Sequence, residues 1–127
     1  MGKACFSLHK RLKSFLYAFR GIGELIKSEP NARIHLFATV CVVLAGLYFK
    51  LSLTEWMVVV IVIGGVFSAE AVNSAIETLG DLASPDYHPL VKRAKDLAAG
   101  SVLLMAIAAA LVGLIIFVPK ILTLFNS

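Results

Sequence analysis

Uncharged apolar residues fall into three long blocks along this chain, and the polar residues between them collect at a few places. Residues 34–49 are uncharged apart from His35, residues 53–69 apart from Glu55, and residues 98–118 carry no charge. A bilayer core takes roughly 17–25 helical residues to cross. The pattern therefore predicts membrane-spanning helices over 33–50, 53–82 and 90–119. The first block is short, with Arg33 and Lys50 at its ends placed to snorkel to the interface. Ahead of it Leu8, Leu12, Phe15, Phe19, Ile22 and Ile26 recur at alternating spacings of four and three, which is a helical stripe. His9, Lys10, Lys13, Arg20 and Lys27 lie mostly off that stripe. Residues 1–29 thus read as an amphipathic helix on the membrane surface. Ser28-Glu29-Pro30-Asn31 and Ser84-Pro85-Asp86-Tyr87-His88-Pro89 are the two helix breaks, because proline disfavours helix in the residue before it.

The expected fold is all-α and integral to the membrane, one surface helix and three spans in a single domain over 1–127. With 59% hydrophobic and 16% charged residues in 127, the chain is too apolar for a soluble domain. Nothing in it calls for nucleic acid as a partner; the bilayer is the expected one. Cys5 and Cys41 are too few for a disulfide framework and read as free thiols. Lysine and arginine crowd the leader and the 92–95 connection, whereas the other connection and the tail carry little beyond Lys50 and Lys120. By the positive-inside rule the N-terminus faces the cytoplasm and the C-terminus lies outside. Ala106-x-x-x-Ala110 and Ala109-x-x-x-Gly113 are small-x-x-x-small patterns that let helices approach closely, and three helices alone make a thin bundle, so self-association is expected. Tyr48 and Trp56 sit where aromatic-belt residues belong.

Candidate chemistry lies where the second block runs out. Glu70, Asn73 and Glu77 fall within about 60° of one another on one helical face, and Asp81 lies close to the same stripe. A carboxyl next to hydrocarbon normally faces protein, water or a ligand; for Asp81 a solvated helix end is sufficient. Glu29, Asp86, Tyr87, His88, Lys92, Lys95 and Asp96 converge on the same boundary. Glu29 and Glu77 are hard oxygen ligands of the kind Mg²⁺ uses when it also binds phosphates, and Lys95 suits phosphate oxygens. Lys92 and Asp96, four apart, also satisfy a helix-surface ion pair. Glu70 lies deepest, placed to take a proton from a lipid hydroxyl. Gly65, Ala69 and Ala71 are small enough to leave room for a lipid chain in a groove between the leader helix and the second span.

Glu70-Ala-Val-Asn73-Ser-Ala-Ile-Glu77 with Asp81, then Tyr87-His88, then Lys92-Arg93-Ala-Lys95-Asp96, resembles the signature of the prokaryotic diacylglycerol kinase family. The resemblance covers nearly the whole chain and implies a homotrimeric lipid kinase of the bacterial cell membrane that uses ATP with Mg²⁺. It implies that Glu70 is the catalytic base, that Asn73 orients phosphate, with Lys95 also in the catalytic group, and that Glu29 and Glu77 hold the metal. It also places Lys10, Tyr17, Asp86, Tyr87, His88, Lys95 and Asp96 around the nucleotide. Asn31-Ala-Arg33-Ile-His35, Glu55-Trp56 and Lys95-Asp96-Leu-Ala-Ala-Gly100 look more like the undecaprenol kinase branch of Gram-positive bacteria, and Ala99 stands where the proteobacterial type has serine. Asn31, Arg33, His35 and Ala99 accordingly fall with Glu70 on the lipid side. Undecaprenol is the favoured acceptor and diacylglycerol the alternative.

Two other classes compete on the residues alone. A small proton-coupled transporter would explain an intramembrane glutamate but has no need of Glu29, Glu77, Lys95 and Asp96 on one side. A non-catalytic adaptor would explain the leader and leave Glu70 and Asn73 without a task.

Overall fold

The computed structural model describes residues 7–126; Cys5, expected to be a free thiol, and Ser127, expected outside, lie beyond them. It contains four helices, α1 (Leu8–Ser28), α2 (Pro30–Phe49), α3 (Leu53–Ala83) and α4 (Pro89–Asn126), of which α2, α3 and α4 are long and apolar enough to cross a membrane. Each begins and ends for a local reason. Ser7 caps α1 by accepting from the Lys10 N–H at 3.3 Å. Glu29, extended at φ −108°, separates α1 from α2, and Pro30 takes the first turn of α2, where a missing N–H is harmless. The break therefore occupies one residue rather than four. Lys50 closes α2 in the left-handed conformation at φ 55°, and the Leu51 N–H reaches the Gly46 carbonyl at 3.1 Å.

Ser52 and Glu55 then form a reciprocal capping box: the Glu55 N–H donates to Ser52 Oγ at 3.2 Å, and the Ser52 N–H donates to Glu55 Oε1 at 2.9 Å, which satisfies two otherwise orphaned donors. The other Glu55 oxygen meets Lys120 Nζ at 3.1 Å. α4 runs through Pro119 to Asn126, past the predicted end at residue 119. Proline removes only the bond to the carbonyl four residues back, here that of Ile115.

The lengths differ in a way that matters. With 20, 31 and 38 residues, α2, α3 and α4 are about 30, 46 and 57 Å long. Only α2 matches a hydrocarbon core; α3 and α4 overrun it, and their overhang carries the polar stripe out toward water. These two helices make the main packing contact in the chain. Glycines set how closely they approach. A Cβ on Gly65 would collide with Met105 Cε, and one on Gly80 would meet Val91 and the stem of Lys95. Gly65 is therefore filled by α4 and leaves no room for a lipid chain, contrary to the sequence expectation.

The small core lies toward the far end, where Leu51, Val59 and Ile116 are buried against Val42, Trp56, Ile63, Val112 and Phe117. Trp56 packs inward over Gly46 while Tyr48 stays exposed, so of the two expected belt residues only Tyr48 faces outward. Exposed Phe37, Ile61, Leu104 and Ile115 give the outer faces the character of surfaces for lipid or for another protein chain.

A Cβ on Gly46 would lie 2.7 Å from the edge of the rigid Trp56 ring, whereas Gly64 has nothing within 4 Å. Gly46→Ala is expected to destabilise the protein by about 1–3 kcal/mol through overpacking, and Gly64→Ala to stabilise it by up to about 1 kcal/mol, the helix preference of alanine over glycine. Thermal unfolding of both variants in detergent checks the contrast.

Candidate active site

α3 presents its polar stripe as a graded series from buried to exposed. Glu70 is 2% exposed, and among the described residues it is the buried charged one. One turn on, Asn73 is half-buried, and its Nδ2 donates to Glu77 Oε1 at 3.4 Å. Asp81 is the outermost, its side chain 72% exposed. At 1.5 Å per residue Glu70 sits about 10 Å inward of Glu77. The gradient follows from one helix leaving the bundle along a straight axis.

Three side-chain atoms on this face are buried without a hydrogen-bond partner: Glu70 Oε1, Asn73 Oδ1 and Ser74 Oγ. Buried polar groups are nearly always satisfied, so such a cluster marks a place built for something else to bind. Ser74 was not singled out by the sequence; one serine on a helix carries no signal until its burial is known. Glu70 Oε1 does have a polar neighbour, since His35 Nε2 of α2 stands 3.2 Å away, off the line a hydrogen bond requires.

A second group assembles at the α3–α4 turn. Ser84 Oγ donates to the Asp86 carbonyl at 2.7 Å, and the Leu90 N–H donates to His88 Nδ1 at 3.1 Å. His88 thereby serves a free N–H in the first turn of α4. Asp81, Asp86, Tyr87, His88, Lys92, Lys95 and Asp96 line one hollow of about 250 Å³. Lys95 Nζ bridges to Asp81 Oδ1 at 2.5 Å, its stem lying over Gly80. Asp81 is thus partnered as well as solvated. Lys92 and Asp96 form the i,i+4 pair at 2.6 Å with both side chains well exposed, the weak surface kind.

Glu29 lies elsewhere. It borders a groove of about 430 Å³ between α1 and α3 with Ala18, Gly21, Glu24, Leu25, Ser28, Ala71, Ser74, Ala75 and Thr78, and Glu77 is not among the residues lining it. Lys10 and Tyr17 are exposed on α1, with the Arg20 guanidinium 5.8 Å from the Tyr17 ring centre; neither lines the hollow at the α3–α4 turn. Asn31, Arg33 and Ala99 are exposed on α2 and α4, while His35 turns inward to Glu70. The described residues hold no group of three His, Cys, Asp or Glu side chains able to bind a metal by themselves. The donors that are present, the Glu77 carboxylate beside the unpartnered Asn73 Oδ1, are hard oxygens of the kind magnesium takes when phosphates complete its shell.

Residues 16–117 match the family described as prokaryotic diacylglycerol kinase. The chain belongs to that family. Among its relatives, the undecaprenol kinase of Bacillus subtilis (strain 168) is 44% identical over 114 residues, covering 90% of this chain and 93% of the relative. A diacylglycerol kinase of Synechocystis sp. is 40% identical over 89% of this chain and 65% of its own length. One from Helicobacter pylori (strain ATCC 700392 / 26695) is 34% identical over 84% of this chain and 77% of its own. A transporter and an adaptor are thereby set aside: the chain is a lipid kinase of this family.

Proposed function

We propose that this family member transfers the γ-phosphate of ATP to undecaprenol at the cytoplasmic boundary of the bacterial cell membrane. The observation that carries the reading is the gradient on α3: one carboxylate buried at lipid depth, in line with an amide and a second carboxylate nearer water. A lipid hydroxyl arrives from the bilayer and ATP from the cytosol, so the two substrates can meet only along such a line.

In this reading the hollow at the α3–α4 turn takes the nucleotide between Asp86, Tyr87, His88, Lys95 and Asp96. Lys95 exchanges Asp81 for a phosphate oxygen, an exchange that an exposed ion pair resists weakly. Asn73 turns its amide from Glu77 to the γ-phosphate and orients it. Glu70 accepts the hydroxyl proton as the lipid oxygen attacks phosphorus, and ADP leaves on the opposite side. Magnesium, when bound, would be held by Glu29 and Glu77 and would neutralise charge on the phosphates. Catalysis here is positioning and charge balance more than covalent chemistry. Lys10, Tyr17 and Glu29 stand apart from the α3–α4 hollow within one chain. A homotrimer in which the exposed apolar faces meet supports bringing them to a neighbour's stripe. The exposed stripe Leu8, Leu12, Phe15, Phe19 and Ile22 of α1 suits a helix lying on the cytoplasmic leaflet.

The acceptor follows from the donors that the α1–α3 groove has to offer. Of its three hydroxyls, Ser28 donates to the Glu24 carbonyl at 2.7 Å and Thr78 to the Ser74 carbonyl at 2.9 Å, which leaves Ser74 Oγ as the single unpartnered one. Diacylglycerol brings ester carbonyls that need donors; a polyprenol brings only its terminal hydroxyl and a hydrocarbon tail. Small residues Ala18, Gly21, Ala71 and Ala75 line the remainder.

Glu70→Gln is expected to lower kcat by at least about a hundredfold, because base catalysis is worth 10²–10⁴-fold, while folding and nucleotide binding persist. Glu29→Gln and Glu77→Gln should instead raise the ATP KM, with part of the loss recovered at high Mg²⁺. Radiolabelled-ATP assays distinguish the patterns, and a Glu70→Gln variant retaining a tenth of the activity removes the base assignment. In mixed micelles offering both lipids, undecaprenol should be phosphorylated in preference to diacylglycerol; the reverse preference overturns the acceptor and leaves the kinase standing. For topology, a Pro85→Cys variant should resist membrane-impermeant thiol reagents in intact cells, as the positive-inside reading requires.

A further inference from the structure

Burial gives Glu70 two conflicting requirements. A carboxylate cut off from water needs a polar neighbour, yet one bound by several N–H donors is too well satisfied to take a proton. Among the described residues, the titratable side chain that meets Glu70 comes from a different helix: His35 Nε2 lies 3.2 Å from Oε1, off the hydrogen-bond axis. The imidazole is itself confined. Beyond it lies an apolar cavity of about 100 Å³ bounded by residues such as Ala38, Val42, Val66 and Val112, where no acid competes for it. Ala32, one turn before His35, has no exposed surface at all, so α2 is closely packed just outward of the imidazole.

We infer that His35 is the positioning residue for Glu70, holding the carboxylate oriented while leaving a lone pair free for the hydroxyl proton of the lipid. This rests on the assignment of Glu70 as base. It gives His35 a task distinct from contact with the lipid: the imidazole acts through Glu70 and touches neither substrate.

The test is steady-state kinetics of the full chain in undecaprenol mixed micelles with ATP. His35→Ala should lower kcat by about ten- to a hundredfold, as expected for a catalytic group displaced by an ångström. The KM values for ATP and undecaprenol should move by less than about threefold, since no ground-state contact is lost. His35→Gln, whose amide N–H reaches to about the same point, should recover at least about a third of kcat, whereas the shorter His35→Asn should not. This Gln-versus-Asn contrast decides the matter even if the alanine variant does not fold. An unchanged kcat, an effect confined to the undecaprenol KM, or a Gln variant as slow as Asn overturns the inference. Glu70→Gln assayed alongside separates the two levels: if it is inactive and His35→Ala is normal, only the role of His35 falls; if it is active, the base assignment falls.

Discussion

A carboxylate about 10 Å inward of the water-facing end of a helix stripe is tolerated only behind protein, and the packing around Glu70 answers to that requirement. His35 of α2 stands against the carboxylate, and Ala32 on α2 and Ala98 on α4 are themselves buried. The remainder of the bundle is loosely covered by comparison. Long apolar side chains on all three spans remain exposed, as they can where the surroundings are hydrocarbon and apolar contact brings little driving force.

That weak driving force raises the question of what fixes the register of α3 against α4. Close packing over Gly65 and Gly80 does so, with a weak polar contact near each end. Glu55 meets Lys120 at one end and Asp81 meets Lys95 at the other. The ion pairs are about 39 Å apart along α3 and about 37 Å along α4 at the usual helical rise. The near-equality is what an antiparallel pair needs to satisfy both at once, and the Gly65–Met105 contact between them, with Gly80–Val91 just beyond Lys95, fits the same antiparallel pairing. Sliding by a turn would take Met105 and Val91 off Gly65 and Gly80 and would part both ion pairs as well. Each ion pair sits near the end of the apolar stretch, where water lowers the penalty for charge.

Much of this was legible in the sequence because it depends on periodicity within one helix. The Glu70–Asn73–Glu77 face needs only the helical repeat, and the turn at Ser84–Pro89 needs only its prolines. What escaped depends on which helix faces which. Gly65 looked like room for a lipid and is filled by Met105; Trp56 looked like an interfacial anchor and lies over Gly46. Lys120 and Glu55, far apart in sequence, gave no sign of meeting. His35 was tied to the lipid by the motif around it, and only the fold turns it toward Glu70. Pro119 looked like a helix end, but one lost backbone bond does not outweigh continued packing and solvation near the end of a long helix.

The unequal helix lengths join these local facts into a site. α2 begins at Pro30, about 7.5 Å outward of the His35 that meets Glu70, so it stops short of the level of Glu77. α3 and α4 continue outward as a two-helix hairpin, joined by the Lys95–Asp81 ion pair and flanked by α1. A third spanning helix of equal length would cover Asn73 and Glu77 as it covers Glu70, and a nucleotide could not reach them. A shorter hairpin would leave Lys95 and Asp96 within the hydrocarbon. The stripe can therefore pass from a covered carboxylate, the proposed base, to open polar groups within two turns of one helix. Such a passage is what a reaction between a bilayer alcohol and a soluble nucleotide demands.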